Sequence, residues 1–248
     1  MDLKDIIAIA SNTQSEVDNY DILARLPNVK ALELELAPAA VPLDERVWFQ
    51  RRRNQRIDFP PHWNKDVWQR VIRPRHLLDA YASTVMAMPH TAHSDPRKVV
   101  NLARDGNAFN PEHEPMVYRA LAWMIVTGRQ WAFRHKRNWQ DRYEYSGGKA
   151  YAARHQYIWA LWNIAVPDPE AVTSANINRS RHVHDRFKSV LDQLMRNSDT
   201  LGDLAGHAVD NAVPSDRRLN ADLVRTKVFT ENIAEATAKL RPAPSDGH

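Results

Sequence analysis

Residues 115–131 read PMVYRALAWMIVTGRQW, and they form the clearest helical pattern in the chain. The apolar side chains recur at helical spacing and make one face: Met116, Val117, Ala120, Leu121, Met124 and Ile125. Pro115 suits the first turn of a helix, where a residue without an N–H is tolerated. The pattern predicts a helix that begins near Pro115, buries one face and continues past Gly128 to Trp131.

Similar spacing predicts helices on both sides of this stretch. They cover approximately residues 18–25, 27–36, 74–88, 96–103, 151–166, 183–194 and 229–240. Pro89 is predicted to end the helix that precedes it. Residues 32–36 alternate Leu with Glu, so a strand is the alternative there. Residues 46–55 are rich in aromatic side chains and predict an extended segment.

Composition agrees with a mainly α, multi-helix globular domain with minor extended structure near residues 31–55. The chain has 248 residues, of which only 7 are glycine, and it contains no cysteine. The absence of cysteine excludes disulfides and thiolate metal sites. The start of the chain lacks a signal-peptide pattern, and no apolar run approaches the length of a membrane span. We therefore expect a cytoplasmic protein with no membrane partner.

The sequence suggests a division of the chain into three regions. The best internal break is Ser146-Gly147-Gly148, which separates residues 1–145 from a C-terminal helical region at 146–240. Residues 241–248 carry two prolines and no apolar pattern, so they are predicted to be a disordered tail.

The densest cationic segment lies at Val47–Gln55, where the aromatic pair Trp48-Phe49 runs into Arg51, Arg52 and Arg53. Over residues 51–75 there are eight Lys and Arg against two Asp, a net charge of +6, compared with +4 for the whole chain. Cations neutralise phosphates, and the interleaved tryptophans offer stacking faces for unpaired bases. The alternative is a solvated surface with its aromatic side chains in the core. The candidate nucleic-acid-binding residues are Asn12, Gln14, Arg51, Arg52, Arg53, Arg56, Arg73, Arg75 and His76.

A second basic interval covers residues 129–154. It holds seven Lys and Arg, including Arg129 and Arg154, against two acidic residues, a net charge of +5. Aromatic side chains are interleaved with these cations, and core positions are the alternative for them. If the two basic intervals lie side by side, they form one basic groove.

Motifs for metal, cofactor or covalent chemistry are weak or absent. His90-x-x-His93 and His182-x-His184 have only loose metal-ligand spacing. Glycine patterns for nucleotide binding and the nucleophile elbow of hydrolases are missing. We therefore predict no metal and no cofactor, and no catalytic residue is assigned. A metal-dependent nuclease built from Asp66, Asp79 and Glu114 with a lysine such as Lys65 is an alternative function.

Four segments in order along the first half of the chain carry a family resemblance. They are residues 10–14 (ASNTQ), 48–53 (WFQRRR), 72–81 (IRPRHLLDAY) and 89–92 (PHTA). In order and spacing they resemble the C-terminal half of the domain that characterises the abortive infection phage resistance (AIPR) family. The family block that matches residues 72–81 has glutamine where this chain has Asp79. The likeness extends to Phe109 and the helix after it, and the AIPR-like region is assigned to residues 1–145.

The family's upstream motifs, of the Asn-Asn-Gly-Ile-Thr and Val-Asn-Gly-x-Gln-Thr types, are absent from this chain. The resemblance implies a bacterial phage-defence protein of the abortive infection type. Without the upstream half, the chain is a truncated member of the family, one half of a split gene or a fragment, and for a split gene we expect a protein partner that supplies the other half. Combined with the basic intervals, it predicts a defence protein that binds DNA or RNA. A non-catalytic assembly module, which docks on another chain or on a second copy of itself, is the alternative from a different class.

Overall fold

The computed structural model describes residues 19–36, 41, 46–52, 55–57, 59, 69–135, 153–217 and 219–240. Within these ranges the protein is mainly α, with one two-stranded sheet, which confirms the predicted fold class. The helices are α1 (Asn19–Arg25), α2 (Pro27–Leu36), α3 (Pro74–Ser83), α4 (Pro89–Ser94), α5 (Pro96–Arg104), α6 (Pro115–Arg134), α7 (Arg154–Ala165), α8 (Arg181–Arg196), α9 (Ser198–Ala212), α10 (Ala221–Val224) and α11 (Lys227–Ala238). The strands are β1 (Trp48–Phe49) and β2 (Val71–Ile72), and a short 3₁₀ helix covers Pro169–Ala171.

Helix α6 is the longest described helix and packs against α3, α7, α8 and α9. Its start matches the prediction, because Pro115 occupies the first turn and the Glu114 carboxylate accepts a bond from the Met116 N–H at 3.3 Å. Its end lies three residues beyond Trp131, at Arg134. The predicted apolar face is buried, and so are Tyr118 and Trp123 beside it. The helix is therefore surrounded by neighbours on most of its circumference.

Helix α9 was not predicted from the sequence. Its buried face consists largely of small residues, so its hydrophobic period is faint. Gly202 and Gly206 bring the helix close to Trp131, which stacks on Tyr157 at a ring distance of 4.8 Å. The Tyr157 hydroxyl also donates to the Gly202 carbonyl at 2.9 Å. The helix is thus held by close packing against large aromatic side chains.

Within the predicted extended segment at residues 46–55 the structure has strand β1 at Trp48–Phe49, and this strand has a partner that the sequence did not indicate. Strand β1 pairs in parallel with β2, with Trp48 opposite Val71 and Phe49 opposite Ile72. The Gln50 N–H continues the ladder by donating to the Ile72 carbonyl at 2.8 Å. This short sheet brings the segment after Phe49 next to the start of α3.

The structure differs from the prediction at Pro89 and decides between helix and strand at residues 32–36. Pro89 does not simply end the preceding helix, because α3 already ends at Ser83 and Pro89 is the first residue of α4. Proline in a first turn has no lost hydrogen bond, so it starts a helix as readily as it stops one. Residues 32–36 are helical rather than extended.

One hydrophobic cluster runs from Leu23 in α1 to Ile233 in α11. Helix α7 lies in its middle and is buried along its length, including the polar side chains His155, Gln156 and Asn163. The division of the chain at 145/146 stays a prediction, and the tail at 241–248 lies outside the described residues. Among the helices that the structure describes, none combines the length and the apolar character needed to cross a bilayer.

Candidate nucleic-acid interface

The junction between β2 and α3 positions a group of cationic side chains. Arg73 follows β2 directly and precedes Pro74, the first residue of α3. Its Nε donates to the Gln50 Oε1 at 3.1 Å, so the side chain is oriented by the segment that continues β1. The exposed Arg73 is thereby held at the first turn of a helix, where the backbone dipole is positive.

His76 lies in the first turn of α3 and is surrounded by arginines. Its Nδ1 accepts a bond from Arg129 Nη2 at 2.7 Å and lies 3.4 Å from the Arg73 N–H. A guanidinium can only donate, so Nδ1 must be the unprotonated nitrogen of the ring. Burial, together with the charges of Arg129, Arg73, Arg154 and Arg75, lowers the pKa of His76 to about 3. The ring is therefore neutral at physiological pH, although it lies in a strongly positive environment.

Arg129 joins α6 to the sheet. Its Nη1 donates to the carbonyl of Gln69 at 2.9 Å and to the carbonyl of Val71 at 2.7 Å. With the bond to His76, one guanidinium bridges α6, the β2 segment and the first turn of α3. Arg129 is therefore both a cation of the site and a structural link.

Asp79 is the described acidic side chain that balances part of this charge. It is 5% exposed, and its two carboxylate oxygens lie 2.7 Å from Arg75 Nε and 3.7 Å from Arg154 Nη2. Burial raises the pKa of Asp79, whereas the two arginines act in the opposite direction. Arg154 is the first residue of α7, so a third part of the chain contributes to the site.

We call Arg73, Arg75, Arg129 and Arg154, together with His76 and Asp79, the arginine cluster. Among these residues there are four positive charges and one carboxylate, which leaves +3 with His76 neutral. The cluster draws members from both basic intervals, 51–75 and 129–154. The two basic intervals, whose proximity was the condition for the predicted groove, therefore meet at these four arginines.

The contacts of Arg51 lie within the fold. Its Nε forms an ion pair with Glu33 Oε2 at 2.6 Å, and its Nη1 donates to the Ala24 carbonyl at 2.6 Å. The side chain is only 12% exposed. The side-chain amide of Gln55 completes this arrangement, since its Nε2 donates to Glu33 Oε1 at 2.7 Å and its Oε1 accepts from the Arg51 N–H at 2.8 Å. The expectation that Arg51 faces a ligand is corrected: its guanidinium ties β1 to α1 and α2.

The other candidate residues fall into two groups. Arg52 and Arg56 are exposed. Asn12, Gln14 and Arg53 lie outside the described residues. Arg73, Arg75 and His76 are therefore the candidates that the structure brings together.

Sequence reasoning did not select Arg129 and Arg154 individually, although both belong to the second basic interval. They lie more than fifty positions after Arg73, and only the packing of α6 and α7 against α3 brings them to it. Of the aromatic side chains near them, Trp131 and Tyr157 are buried core residues that stack on each other. For Trp131, which belongs to the second basic interval, the alternative of a core position is correct.

Glu114 and Asp79, two of the residues considered for nuclease chemistry, take part in different contacts. Glu114 caps α6 and accepts from His184 Nδ1 at 3.1 Å, whereas Asp79 belongs to the arginine cluster. Asp66 and Lys65 lie outside the described residues. In the part of the chain that the structure describes, no group of three or more His, Asp or Glu side chains is arranged to hold a metal ion.

The fold and the site define a mainly helical protein with an arginine cluster at the junction of three of its segments. Comparison of the chain with models of protein families, with curated proteins and with solved structures finds no match. The resemblance to the AIPR family rests on the four sequence segments given above and stays a prediction.

Proposed function

We propose that this protein binds nucleic acid, and that the arginine cluster contacts the phosphate backbone. A single observation carries the proposal: four arginines from three separate segments converge on His76, with Asp79 as the carboxylate among them. A convergence of positive charge attracts an anionic ligand.

The chemistry of the side chains favours phosphate. Guanidinium groups bind phosphate oxygens through two parallel hydrogen bonds and lose little hydration when they do so. His76 lies in the first turn of α3, so the positive end of this helix dipole is next to the cluster.

The biological setting of the proposal comes from the family resemblance. We propose a role in phage defence of the abortive infection type, in which the protein acts with a partner. The arginine cluster supports the nucleic-acid part of this proposal and is independent of the defence part. The two parts can therefore be tested separately.

Binding is tested by fluorescence anisotropy with labelled single-stranded DNA, single-stranded RNA and duplex DNA, over a series of salt concentrations. Arg73→Gln and Arg154→Gln each remove one cation. Each change should lower the affinity and reduce the slope of log K against log salt by about 0.7 to 0.9 for each phosphate that the variant no longer neutralises. Arg181→Gln is the matched control, because its side chain is 96% exposed on α8.

Circular dichroism should show that all three variants keep their helical content. If the wild-type protein binds none of the probes at low salt, the proposed function is wrong. If Arg181→Gln reduces binding as much as the two cluster variants do, binding is a property of the overall charge, and the cluster is not the site.

A further inference from the structure

A groove opens beside the arginine cluster, at the C-terminal end of α6. It has a volume of about 390 Å³. Its walls come from the segment before β2, the last turns of α6 and the start of α9. The lining residues are Gln69, Gln130, Phe133, Arg134, Ser198 and Asp199. The groove therefore combines an aromatic ring, two primary amides, a hydroxyl and an ion pair.

Phe133 is the unusual member of this set. Its side chain is 70% exposed, whereas the other aromatics of α6, Tyr118, Trp123 and Trp131, are buried. An isolated exposed apolar residue is common and explains nothing by itself. Here the ring lines a groove with polar groups on its other walls, which is the composition of a site for a flat, polar aromatic ligand.

The groove and the arginine cluster share a wall. Arg129 Nη1 donates to the Gln69 carbonyl at 2.9 Å, and Gln130 follows Arg129 in α6. Gln69 therefore belongs to the lining of the groove and is bonded to a member of the arginine cluster. One chain of nucleic acid can occupy both places.

Charge assigns the two parts of a nucleotide to the two places. Asp199 forms an ion pair with Arg134, so this part of the groove lining carries no net charge and attracts an anion less than the arginine cluster does. The amides of Gln69 and Gln130 carry both donors and acceptors, as the edge of a base requires. The groove therefore suits a base, and the arginine cluster suits the phosphate beside it.

We infer, resting on the proposed function, that this groove stacks an unpaired base on Phe133 and that the preferred ligand is a single-stranded nucleic acid. A base inside a duplex presents no free face to a protein aromatic ring, whereas an unpaired base does. The groove thus gives the protein a means of selecting single strands, which the arginine cluster by itself does not provide.

The test compares Phe133→Ala with the wild-type protein on oligothymidylate and on a duplex. Phe133→Ala should weaken binding to the single strand by about 5- to 150-fold, the range that corresponds to removing one stacked base. Binding to the duplex should stay the same. Phe133→Trp should retain the single-strand affinity, since indole is also a stacking surface. Val228→Ala is the control, because Val228 is an apolar residue that is 63% exposed on α11.

The outcomes separate the two proposals. If the wild-type protein binds single strands and Phe133→Ala binds them equally well, the groove is not a base site, while the proposed function stands. If Phe133→Ala loses the same affinity for single strand and duplex, the groove is not a base site either, because such a loss indicates a general defect of the variant. If the wild-type protein binds no probe, the proposed function fails and the groove assignment fails with it.

Discussion

Replacing Arg51 by Ala separates the two uses that this chain makes of its arginines. In the fold Arg51 is paired with Glu33 at 2.6 Å and bonded to the Ala24 carbonyl at 2.6 Å. We therefore expect Arg51→Ala to reduce the free energy of unfolding. Under conditions where the variant stays folded, its affinity for nucleic acid should change little.

The magnitude follows from the exposure of the pair, which is 12% for Arg51 and 23% for Glu33. Removing one partner of a buried ion pair costs about 3–5 kcal/mol, and each hydrogen bond to a charged group contributes about 1.5–3 kcal/mol. Glu33 keeps its bond from Gln55 in the variant, and water reaches the site in part. We therefore expect a loss of about 2–3 kcal/mol.

Urea unfolding followed by tryptophan fluorescence measures this loss, and anisotropy measures binding. Arg52→Ala is the matched control, since Arg52 is the exposed neighbour and its removal should change stability by less than about 0.5 kcal/mol. A double-mutant cycle with Glu33→Gln should show that the two changes are not additive. The structural role assigned to Arg51 is refuted if Arg51→Ala is as stable as Arg52→Ala and binds nucleic acid much more weakly.

Two further predictions concern stability. Gly206→Ala should destabilise the protein by about 1–3 kcal/mol, because the added Cβ would lie 2.7 Å from Trp131 Cε2. Thermal unfolding measures this loss as a lower Tm. Thr200→Ala, on the exposed face of α9, is the control and should show no comparable change in Tm. The pKa of His76 is about 3 in the fold, below its unfolded value of 6.5, so the unfolded chain binds the proton first. Stability should therefore fall as the pH drops from 6.5 towards 3, by up to about 1.4 kcal/mol per pH unit from this group. Asp79, whose pKa is raised, contributes in the opposite sense over acidic pH. His76→Gln keeps Asp79, so the free energy of unfolding of this variant, measured by urea unfolding, should depend less on pH between pH 4 and 7. If the variant and the wild type show the same pH dependence, the low pKa of His76 is not the cause of the loss.

Local patterns were sufficient for most of the helices. Pro27, Pro96 and Pro115 each occupy the first turn of a helix where the sequence predicted one. Helix α9 escaped prediction because its buried face is built from small side chains and two glycines. Its stability comes from Trp131 and Tyr157, which lie in distant parts of the sequence.

The candidate site was also predicted only in part from the sequence. Charge counting found both basic intervals, and Arg73, Arg75 and His76 belong to the cluster that the fold assembles. The same counting could not tell Arg51 from Arg73, because the difference is Glu33, a carboxylate on another helix.

The sequence by itself determined the mainly helical class and the positive charge, since helical periodicity and composition are local properties of the chain. Only the tertiary structure decided which arginines stabilise the fold and which converge on His76. The physical reason is that the fate of a charge depends on the groups within a few ångströms of it. Those groups, Glu33 for Arg51 and Arg129 for His76, are far away along the chain.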